Sequence, residues 1–327
     1  MSKRRMDLVG FFAAAVLVVS TIATSAFAQD YPAKQVVKLI VPFAAGSASD
    51  TIGRIMVDEY AKAMGGTFIV ENRPGAGGML GTAEVSRSPA DGYTLLLTSN
   101  STHALAPWLY KTVPYDAVKG FQHIARWIEV PFVLVVSPKF PANTFREFIA
   151  HAKANPEKLA FGYGTSSSQL SVELLNQMAD IKTLPIPYKS HPNAVTDLVA
   201  GQTQFMILDM AAAMAQISGG NLKAIALTTK KRSEFLPNLP TIAESGYPDY
   251  EYATWIGLAA PAGTPNAIVE KLSAETLKIL AKPDVQKRFA AHAITIVPNT
   301  VKEQEELVST GLEFWRQRIQ SMKIELQ

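Results

Sequence analysis

Residues 38–50 read KLIVPFAAGSASD and join a short β-branched run to a segment rich in helix-capping residues. The first half predicts a buried strand that Pro42 ends, and the second half predicts a polar loop that starts a helix. In residues 51–64 the apolar side chains recur at helical spacing, which predicts one buried helix face. The N–H groups and positive dipole end of this helix then lie at the carboxyl edge of the strand, where an anion is favoured. The stretch indicates half of a carboxylate site; the alternative is that its polar residues only cap the helix.

The same order of strand, polar loop and helix recurs at two further places. Residues 93–98 predict a strand that ends in the polar residues 98–102, and residues 158–162 predict a strand that ends in the hydroxyl-rich loop 162–169. The intervening helices require parallel strands, so these loops come to the carboxyl edges of sheets, as the first loop does. The sequence therefore predicts several donor-rich loops at sheet edges.

Asp209 ends the predicted strand 204–208, where it would by itself be an ordinary helix cap. At a sheet edge that faces Asp50, it is predicted to order a ligand or a water molecule. A carboxylate ligand pairs directly with an Asp only if one of the two is protonated, so bridging waters or a ligand amino group are needed. Lys189 and Arg126 are the nearest cations by register, and the predicted site is poor in fixed positive charge.

The strand-and-helix pattern falls into two blocks that meet near residue 130, where a predicted strand at residues 130–137 starts the second block. The C-terminal segment has no sheet of its own. The economical arrangement is two α/β lobes, with the chain crossing near residues 129–131 and returning near residues 251–254. Two crossings make a hinge, and the polar loops face each other across a cleft, where small-molecule sites concentrate. The predicted division is a signal peptide at residues 1–28, a first lobe of residues 29–130 plus 251–327, and a second lobe of residues 131–250.

The N-terminal segment has the three parts of a secretory signal: Lys3-Arg4-Arg5, the apolar residues 8–19, and Ala26-Phe27-Ala28. We expect cleavage after Ala28, which leaves 299 residues. No later segment approaches the roughly 20 apolar residues of a spanning helix, so we expect a soluble exported protein. The pair Arg4-Arg5 leaves the twin-arginine route open beside the general secretory route.

The composition argues against several classes of protein. The net charge is +3 for the whole chain and about +1 without the signal, which removes the electrostatic argument for a nucleic-acid or anionic-membrane partner. The absence of Cys excludes disulfides, zinc-thiolate sites, Fe–S clusters and Cys nucleophiles. The five histidines have no metal-binding spacing, so we expect neither a metal nor another cofactor.

Motifs for catalysis are incomplete. The glycine-rich residues 71–78 invite a dinucleotide-binding interpretation, but Leu80 stands where the third glycine of the motif belongs, so a tight turn is favoured. Residues 164–168, GTSSS, match a nucleophile elbow in three places and end in Ser168 instead of glycine. A Ser-His-Asp triad assembled from distant residues stays an alternative, because triads are recognised by geometry.

Short motifs occur in one order along nearly the whole mature chain. They are Tyr31-Pro32, residues 41–46 (VPFAAG) with Asp50, residues 71–78 (ENRPGAGG), residues 91–96 (DGYTLL), Leu109-Tyr110, Pro114-Tyr115-Asp116, Pro187-Tyr188-Lys189, residues 240–246 (PTIAESG) and residues 257–265. In this order they resemble the Bug family, the extracytoplasmic solute-binding receptors of tripartite tricarboxylate transporters. The resemblance implies a periplasmic protein with a type II periplasmic-binding-protein (Venus flytrap) fold, in which two lobes, each a mixed sheet flanked by helices, close on a small carboxylate.

The resemblance also implies which loops hold the ligand, partly through ordered waters. These roles carry over to Phe43, Ala45, Ser47 and Asp50 in the first loop, to Ser99 and Asn100 after the third strand, and to Thr165, Ser166 and Ser167 in the second lobe. With Gln169 and Asp209, these are the predicted ligand-binding residues.

Three departures from the family pattern fall at the predicted site. Ser47 stands where the family usually has a second glycine, Gln169 where it often has His, and Ser190 where it has glycine. Because Gln169 cannot carry charge, we expect any dependence of affinity on a protonated imidazole to be lost. We therefore expect a ligand preference different from the family's average.

The function expected from the sequence is capture of a small organic carboxylate and its delivery to a tripartite tricarboxylate-type membrane transporter. We expect a monomer that is not an enzyme. Dicarboxylates, hydroxy acids, aromatic acids and acidic amino acids all fit the predicted donor-rich cleft. The alternatives are a secreted serine hydrolase that uses a serine near Ser166, and a sensor that binds the same ligand but docks to a signalling receptor.

Overall fold

A computed structural model describes residues 31–32, 35–322, 324 and 326. The predicted signal peptide and its cleavage site lie outside these residues. None of the described helices is both long and apolar enough to cross a membrane.

Ten strands of the described chain form a mixed sheet. They are β1 (Val37–Val41), β2 (Phe68–Asn72), β3 (Thr94–Ser99), β4 (Phe121–Val136), β5 (Ala160–Tyr163), β6 (Leu184–Pro187), β7 (Phe205–Asp209), β8 (Lys223–Leu227), β9 (Ala253–Pro261) and β10 (Thr295–Ile296). Their order is β2-β1-β3-β9-β4-β7-β5-β6, and β8 and β10 also pair with β4. The βα units pair in parallel, as predicted, whereas β9 is antiparallel to both β3 and β4.

Ten α-helices flank the sheet in the described residues. They are α1 (Ala48–Met64), α2 (Met79–Ser86), α3 (Ala106–Leu109), α4 (Phe145–Ala154), α5 (Ser166–Ala179), α6 (His191–Ala200), α7 (Met210–Ser218), α8 (Asn266–Leu280), α9 (Pro283–Ala290) and α10 (Val301–Met322). A short 3-10 turn covers Ala76–Gly78, and a π-helical turn covers Ser101–Leu105. The strand, loop and helix predicted around residue 42 are therefore present as β1 and α1.

The strand β4 links the two halves of the sheet. From Phe121 to Pro131 it pairs with β9, and from Phe132 to Val136 it pairs with β7 and β8. The sequence predicted only its second part, residues 130–137, and was wrong about where the strand begins. Two bulges, near His123 and near Arg126, break the alternation of buried and exposed residues by which a strand is recognised.

Two large apolar cores lie on the two halves of the sheet. The first contains Tyr60, Trp127 and Phe289 among its largest buried side chains, and the second contains Phe148 and Phe205. Separate cores are what two lobes require.

The last helix, α10, packs into the second core. Its buried stripe of Val308, Trp315 and Ile319 has helical spacing, and Trp315 lies against Tyr252 at a ring-centroid distance of 5.5 Å. Trp108 of α3 donates a 2.8 Å hydrogen bond to a carbonyl of the same helix. The helix therefore contacts both halves, although the sequence assigned it to the first lobe; the lobe boundaries stay a prediction.

Candidate ligand-binding cleft

A cavity of about 640 Å³, its open mouth included, lies between the two halves of the sheet. One wall is formed by the loop between β1 and α1 and by the glycine-rich turn before α2. The opposite wall comes from the loops before α5, α6 and α7. Its floor includes Val130, Phe132, Thr254 and Ile256, from the neighbouring strands β4 and β9.

Four helices begin at the walls of this cavity. The side chains of Ser47, Thr165 and Asp209 cap α1, α5 and α7, each by accepting a hydrogen bond from a backbone N–H of the first turn. Ser190 precedes α6. Helix N-termini present unpaired N–H groups and partial positive charge, so their convergence favours an anionic ligand.

Asp50 holds the first loop in place from the side that faces away from the cavity. Its carboxylate accepts hydrogen bonds from the backbone N–H of Gly46 (2.9 Å), from Arg54 Nε (3.1 Å) and from Asn72 Nδ2 (3.0 Å). The amide of Asn72 also donates to the Phe43 carbonyl at 3.1 Å. Burial alone would raise the pKa of Asp50, but these hydrogen bonds outweigh it and lower that pKa. Asp50 thus stays ionised and holds the loop that faces the cavity.

The glycine-rich segment is a tight turn, as predicted. Gly78 has a φ of 100°, and a Cβ there would lie 2.9 Å from Thr102 and 3.2 Å from the ring of Phe43. Any larger residue would therefore be strained and would press on neighbouring side chains. The absence of a side chain lets this turn support Phe43 at the edge of the cavity.

Hydroxyl groups cluster on the floor of the cavity. Ser101 Oγ lies 2.8 Å from Ser167 Oγ and also accepts a hydrogen bond from the Ser167 backbone N–H at 3.2 Å. Thr254 Oγ1 lies 3.4 Å from Ser167 Oγ. Because a hydroxyl both donates and accepts, this cluster could bond a ligand hydroxyl or a carboxylate oxygen.

A histidine that the sequence analysis did not select stands on the second wall. His191 Nδ1 lies 3.4 Å from Asp209 Oδ2, and its Nε2 lies 3.3 Å from Thr165 Oγ1. The signal was present, since Ser190-His191-Pro192 follows a strand and starts a helix, as the selected loops do.

The charged groups of the cavity are few. Asp209, His191 and the exposed Lys189 are the titratable side chains among its lining residues. Arg126 lies elsewhere and donates to the Val297 carbonyl at 2.8 Å. Among the described lining residues, Lys189 is the lysine or arginine at the cavity, and the shortage of fixed positive charge at the ligand site stays a prediction.

The predicted ligand-binding residues divide into two groups. The residues that line the cavity are Phe43, Ser47, Ser99, Thr165, Ser167 and Asp209. The residues that do not line it are Ala45, Asp50, Asn100, Ser166 and Gln169. Ala45 is exposed to solvent, and the other four are buried. Ligand contact by any of the eleven stays a prediction.

The described part of the chain contains no group of three or more His, Cys, Asp or Glu side chains that could hold a metal ion.

Comparison with known proteins connects this cleft to one family. A family model described as the tripartite tricarboxylate transporter family receptor matches residues 52–324. Protein BugT of Bordetella pertussis is 33% identical over 317 residues, which cover 95% of each chain.

Solved structures of similar proteins share the fold. The periplasmic binding protein BugD is 32% identical, with a TM-score of 0.86 over 91% of this chain and 100% of that one. Rhodopseudomonas palustris MatC with bound malate is 29% identical, with a TM-score of 0.82 over 88% and 100%. R. palustris Rpa4515 with adipate is also 29% identical, with a TM-score of 0.87 over 90% and 98%. The predicted two-lobed periplasmic-binding-protein fold is confirmed by this similarity.

Proposed function

Because the chain belongs to the tripartite tricarboxylate transporter receptor family, we propose that it captures a small dicarboxylate between its lobes and delivers it to membrane transporter subunits. The receptors of this family are periplasmic solute-binding proteins. The observation that carries the proposal is the convergence of four helix N-termini on one cavity. Such an arrangement supplies N–H donors and partial positive charge to an anion, in addition to the charge of Lys189.

Two observations support a dicarboxylate as the ligand. The cavity has helix N-termini on both walls, with α1 on one side and α5, α6 and α7 on the other. A ligand with a carboxylate at each end could therefore contact both walls at once. The related proteins Rpa4515 and MatC have bound adipate and malate, respectively, and both ligands are dicarboxylates.

A hydrolase is the second candidate, because one wall orders a hydroxyl, an imidazole and a carboxylate. Thr165 Oγ1 lies 3.3 Å from His191 Nε2, and His191 Nδ1 lies 3.4 Å from Asp209 Oδ2. Thr165 Oγ1, however, accepts the hydrogen bond that caps α5, and Asp209 caps α7. These capping roles favour ligand binding over nucleophilic attack, and we propose that the protein is a receptor and not an enzyme.

The test is a thermal-shift screen on the exported chain, unfolded and refolded to remove any carried-over ligand. The panel contains adipate, malate, succinate, tricarboxylates, aromatic acids and acidic amino acids. A ligand at 100 times its Kd should stabilise the native state by about 2.7 kcal/mol, which raises the Tm by a few degrees. We expect a dicarboxylate to give the largest shift.

Variants distinguish the cleft from other surfaces. The double variant Ser47→Ala/Thr165→Val should reduce the shift, whereas Ser309→Ala on the exposed side of α10 should leave it unchanged. Turnover of activated esters that depends on Thr165, with no shift from any acid, would replace the receptor proposal with the hydrolase.

A further inference from the structure

A chain of polar atoms runs along the second wall of the cavity. Asp209 Oδ2 faces His191 Nδ1 at 3.4 Å, and His191 Nε2 faces Thr165 Oγ1 at 3.3 Å. All three residues line the cavity, and the side chains of His191 and Asp209 are each only 9% exposed. The backbone of Gly164 packs directly against the start of α6, since a Cβ at Gly164 would lie 2.2 Å from the backbone nitrogen of His191.

Both ends of the chain limit the hydrogen-bonding roles of the ring. Asp209 Oδ1 accepts from the Ala212 N–H at 2.9 Å, and Asp209 Oδ2 lies 3.4 Å from His191 Nδ1. Because an ionised carboxylate can only accept, its position beside Nδ1 favours the tautomer of the neutral imidazole that has its proton on Nδ1. At the other end, Thr165 Oγ1 accepts from the Ser168 N–H at 3.2 Å. One lone pair of the hydroxyl is therefore occupied in every state of the imidazole.

The charge of His191 then decides the direction of the Thr165 hydroxyl. When the imidazole is neutral, Nε2 is an acceptor and the Thr165 hydroxyl proton points to it. When the imidazole is protonated, Nε2 donates to Oγ1 and fills its second lone pair, so the hydroxyl proton must point elsewhere. Thr165 lines the cavity, and its hydroxyl is then available to donate to a ligand carboxylate.

We propose that His191 is a positioning residue that makes the receptor take up one proton with its anionic ligand: the proton binds Nε2, and the Thr165 hydroxyl turns from the ring to the ligand carboxylate. This inference rests on the proposed function and identifies the bound species as an ionised carboxylate accompanied by a proton. It differs from the expectation drawn from Gln169, which stays a prediction, because an imidazole lines the cavity at a different position.

The surrounding charges favour this coupling. Asp209 stabilises the imidazolium, whereas the nearby Lys189 and the N-terminus of α6, on which His191 is the first residue, oppose it. A carboxylate bound at the wall adds the negative charge that shifts this balance toward protonation.

Few other ionisable groups belong to the elements that pack around the ring. The strand β5 contributes Tyr163, and α5 contributes Glu173. The helix α6 contributes Asp197, which accepts a 2.7 Å hydrogen bond from Tyr188. The helix α7 carries no charged side chain. On the opposite wall, the cavity-lining residues of the first loop and the glycine-rich turn are all uncharged.

The experiment is titration calorimetry of the exported chain with adipate, malate and acetate between pH 5.5 and 8.5. Each titration is repeated in two buffers of different ionisation enthalpy, which measures the protons taken up per ligand bound. We expect each bound ligand to be accompanied by an uptake greater than zero and at most one proton. The affinity should increase as the pH falls, by up to about tenfold per pH unit while the imidazole is neutral in the free protein.

Variants separate the positioning role from a structural one. His191→Gln should abolish both proton uptake and pH dependence, and His292→Gln, at an exposed histidine, should change neither. Thr165→Val should lower the affinity and the proton uptake together, and Thr165→Ser should restore both. If His191→Gln does not fold, the Thr165 pair supplies the same comparison.

The outcomes are distinguishable from a failure of the proposed function. Binding of any of the three acids without proton uptake, or with the same uptake in the His191 variant, overturns the inference and leaves the receptor proposal intact. If none of the three acids binds at any pH, both the proposed function and this inference are overturned.

Discussion

Two histidines are buried in the first half of the molecule, away from the cleft. The rings of His103 and His123 meet edge to face at a centroid distance of 5.4 Å, beside Phe121. Burial lowers the pKa of His123 to about 4 and lowers that of His103 well below its usual value. Both rings are therefore neutral in the native state near pH 7.

These histidines should make the protein acid-sensitive. In the unfolded chain His123 binds a proton below about pH 6.5, whereas in the native state it does so only below about pH 4. The free energy of unfolding therefore falls as the pH drops between these values. The loss from this residue alone is about 3 kcal/mol at pH 4. Urea unfolding at pH 7 and at pH 4.5 should show a smaller difference for His123→Gln than for the unchanged protein. If the free energy of unfolding changed equally with pH in His123→Gln and in the unchanged protein, the acid sensitivity would not come from His123. The control is His292→Gln, at an exposed histidine, which should behave as the unchanged protein does.

Sequence patterns located the residues that cap helices, whereas the ligand contacts stay predictions. Ser47, Thr165 and Asp209 were found because a polar residue between a strand and a helix has a local signature. Asp50 was found for the same reason, but its carboxylate turned out to bond Gly46, Arg54 and Asn72 behind the cavity surface. Which side of a loop a side chain faces depends on partners from distant segments, and sequence spacing does not contain that information.

Among the elements, the edge strand β6 has a sequence that disfavours pairing with a second molecule. Its sequence is Leu-Pro-Ile-Pro over residues 184–187, and all four residues are exposed. The N–H groups of Leu184 and Tyr188 point inward to β5 at 2.8 Å. The alternate positions, Pro185 and Pro187, would point outward, and proline has no N–H to offer a second chain.

Restoring these donors should promote association. We expect the double variant Pro185→Thr/Pro187→Thr to form concentration-dependent dimers or aggregates in sedimentation experiments. The control, Leu184→Thr/Ile186→Thr, changes two exposed side chains of the same strand without adding an N–H. Equal association of the two variants would show that the prolines do not protect this edge.

The final helix offers a comparison between neighbouring aromatic residues. Trp315 of α10 is 8% exposed in the second core, whereas Phe314 is 49% exposed. Trp315→Ala should lower the free energy of unfolding by about 3 kcal/mol, because a buried aromatic side chain leaves a cavity. Phe314→Ala should cost less than about 1 kcal/mol. Denaturant unfolding measures both values, and similar losses would contradict the packing of α10 described above.

For the whole molecule, the prediction is closure on the ligand. The chain has no Cys, so two introduced cysteines give unique label sites. Lys278→Cys in α8 and Lys182→Cys before β6 lie on the two halves and replace side chains that are 68% and 73% exposed. The label-to-label distance should shorten by several ångströms when a dicarboxylate binds. A control pair, Lys278→Cys with Lys62→Cys, lies on one half and should not change; an unchanged distance in both pairs would argue against closure.

At the scale of the molecule, the two-lobed fold followed from repeated strand-loop-helix units, and the resemblance carried by the motifs is confirmed by the family match. Two features did not follow. The continuity of β4 through the crossing was hidden by its bulges and by Pro131, which sequence patterns treat as a strand end. The packing of α10 on the second core depends on which of two apolar surfaces accepts an amphipathic helix, and periodicity cannot decide that.

The two crossings between the halves lie side by side. Val130 of β4 pairs with Thr254 of β9, so the outgoing and returning chains form one antiparallel ribbon. Separate linkers would allow the lobes to slide, twist or swing independently. We expect this ribbon, together with α10, which contacts both halves, to guide the movement of the lobes along one direction. Ligands of different chemistry should therefore produce the same closed arrangement of the two halves.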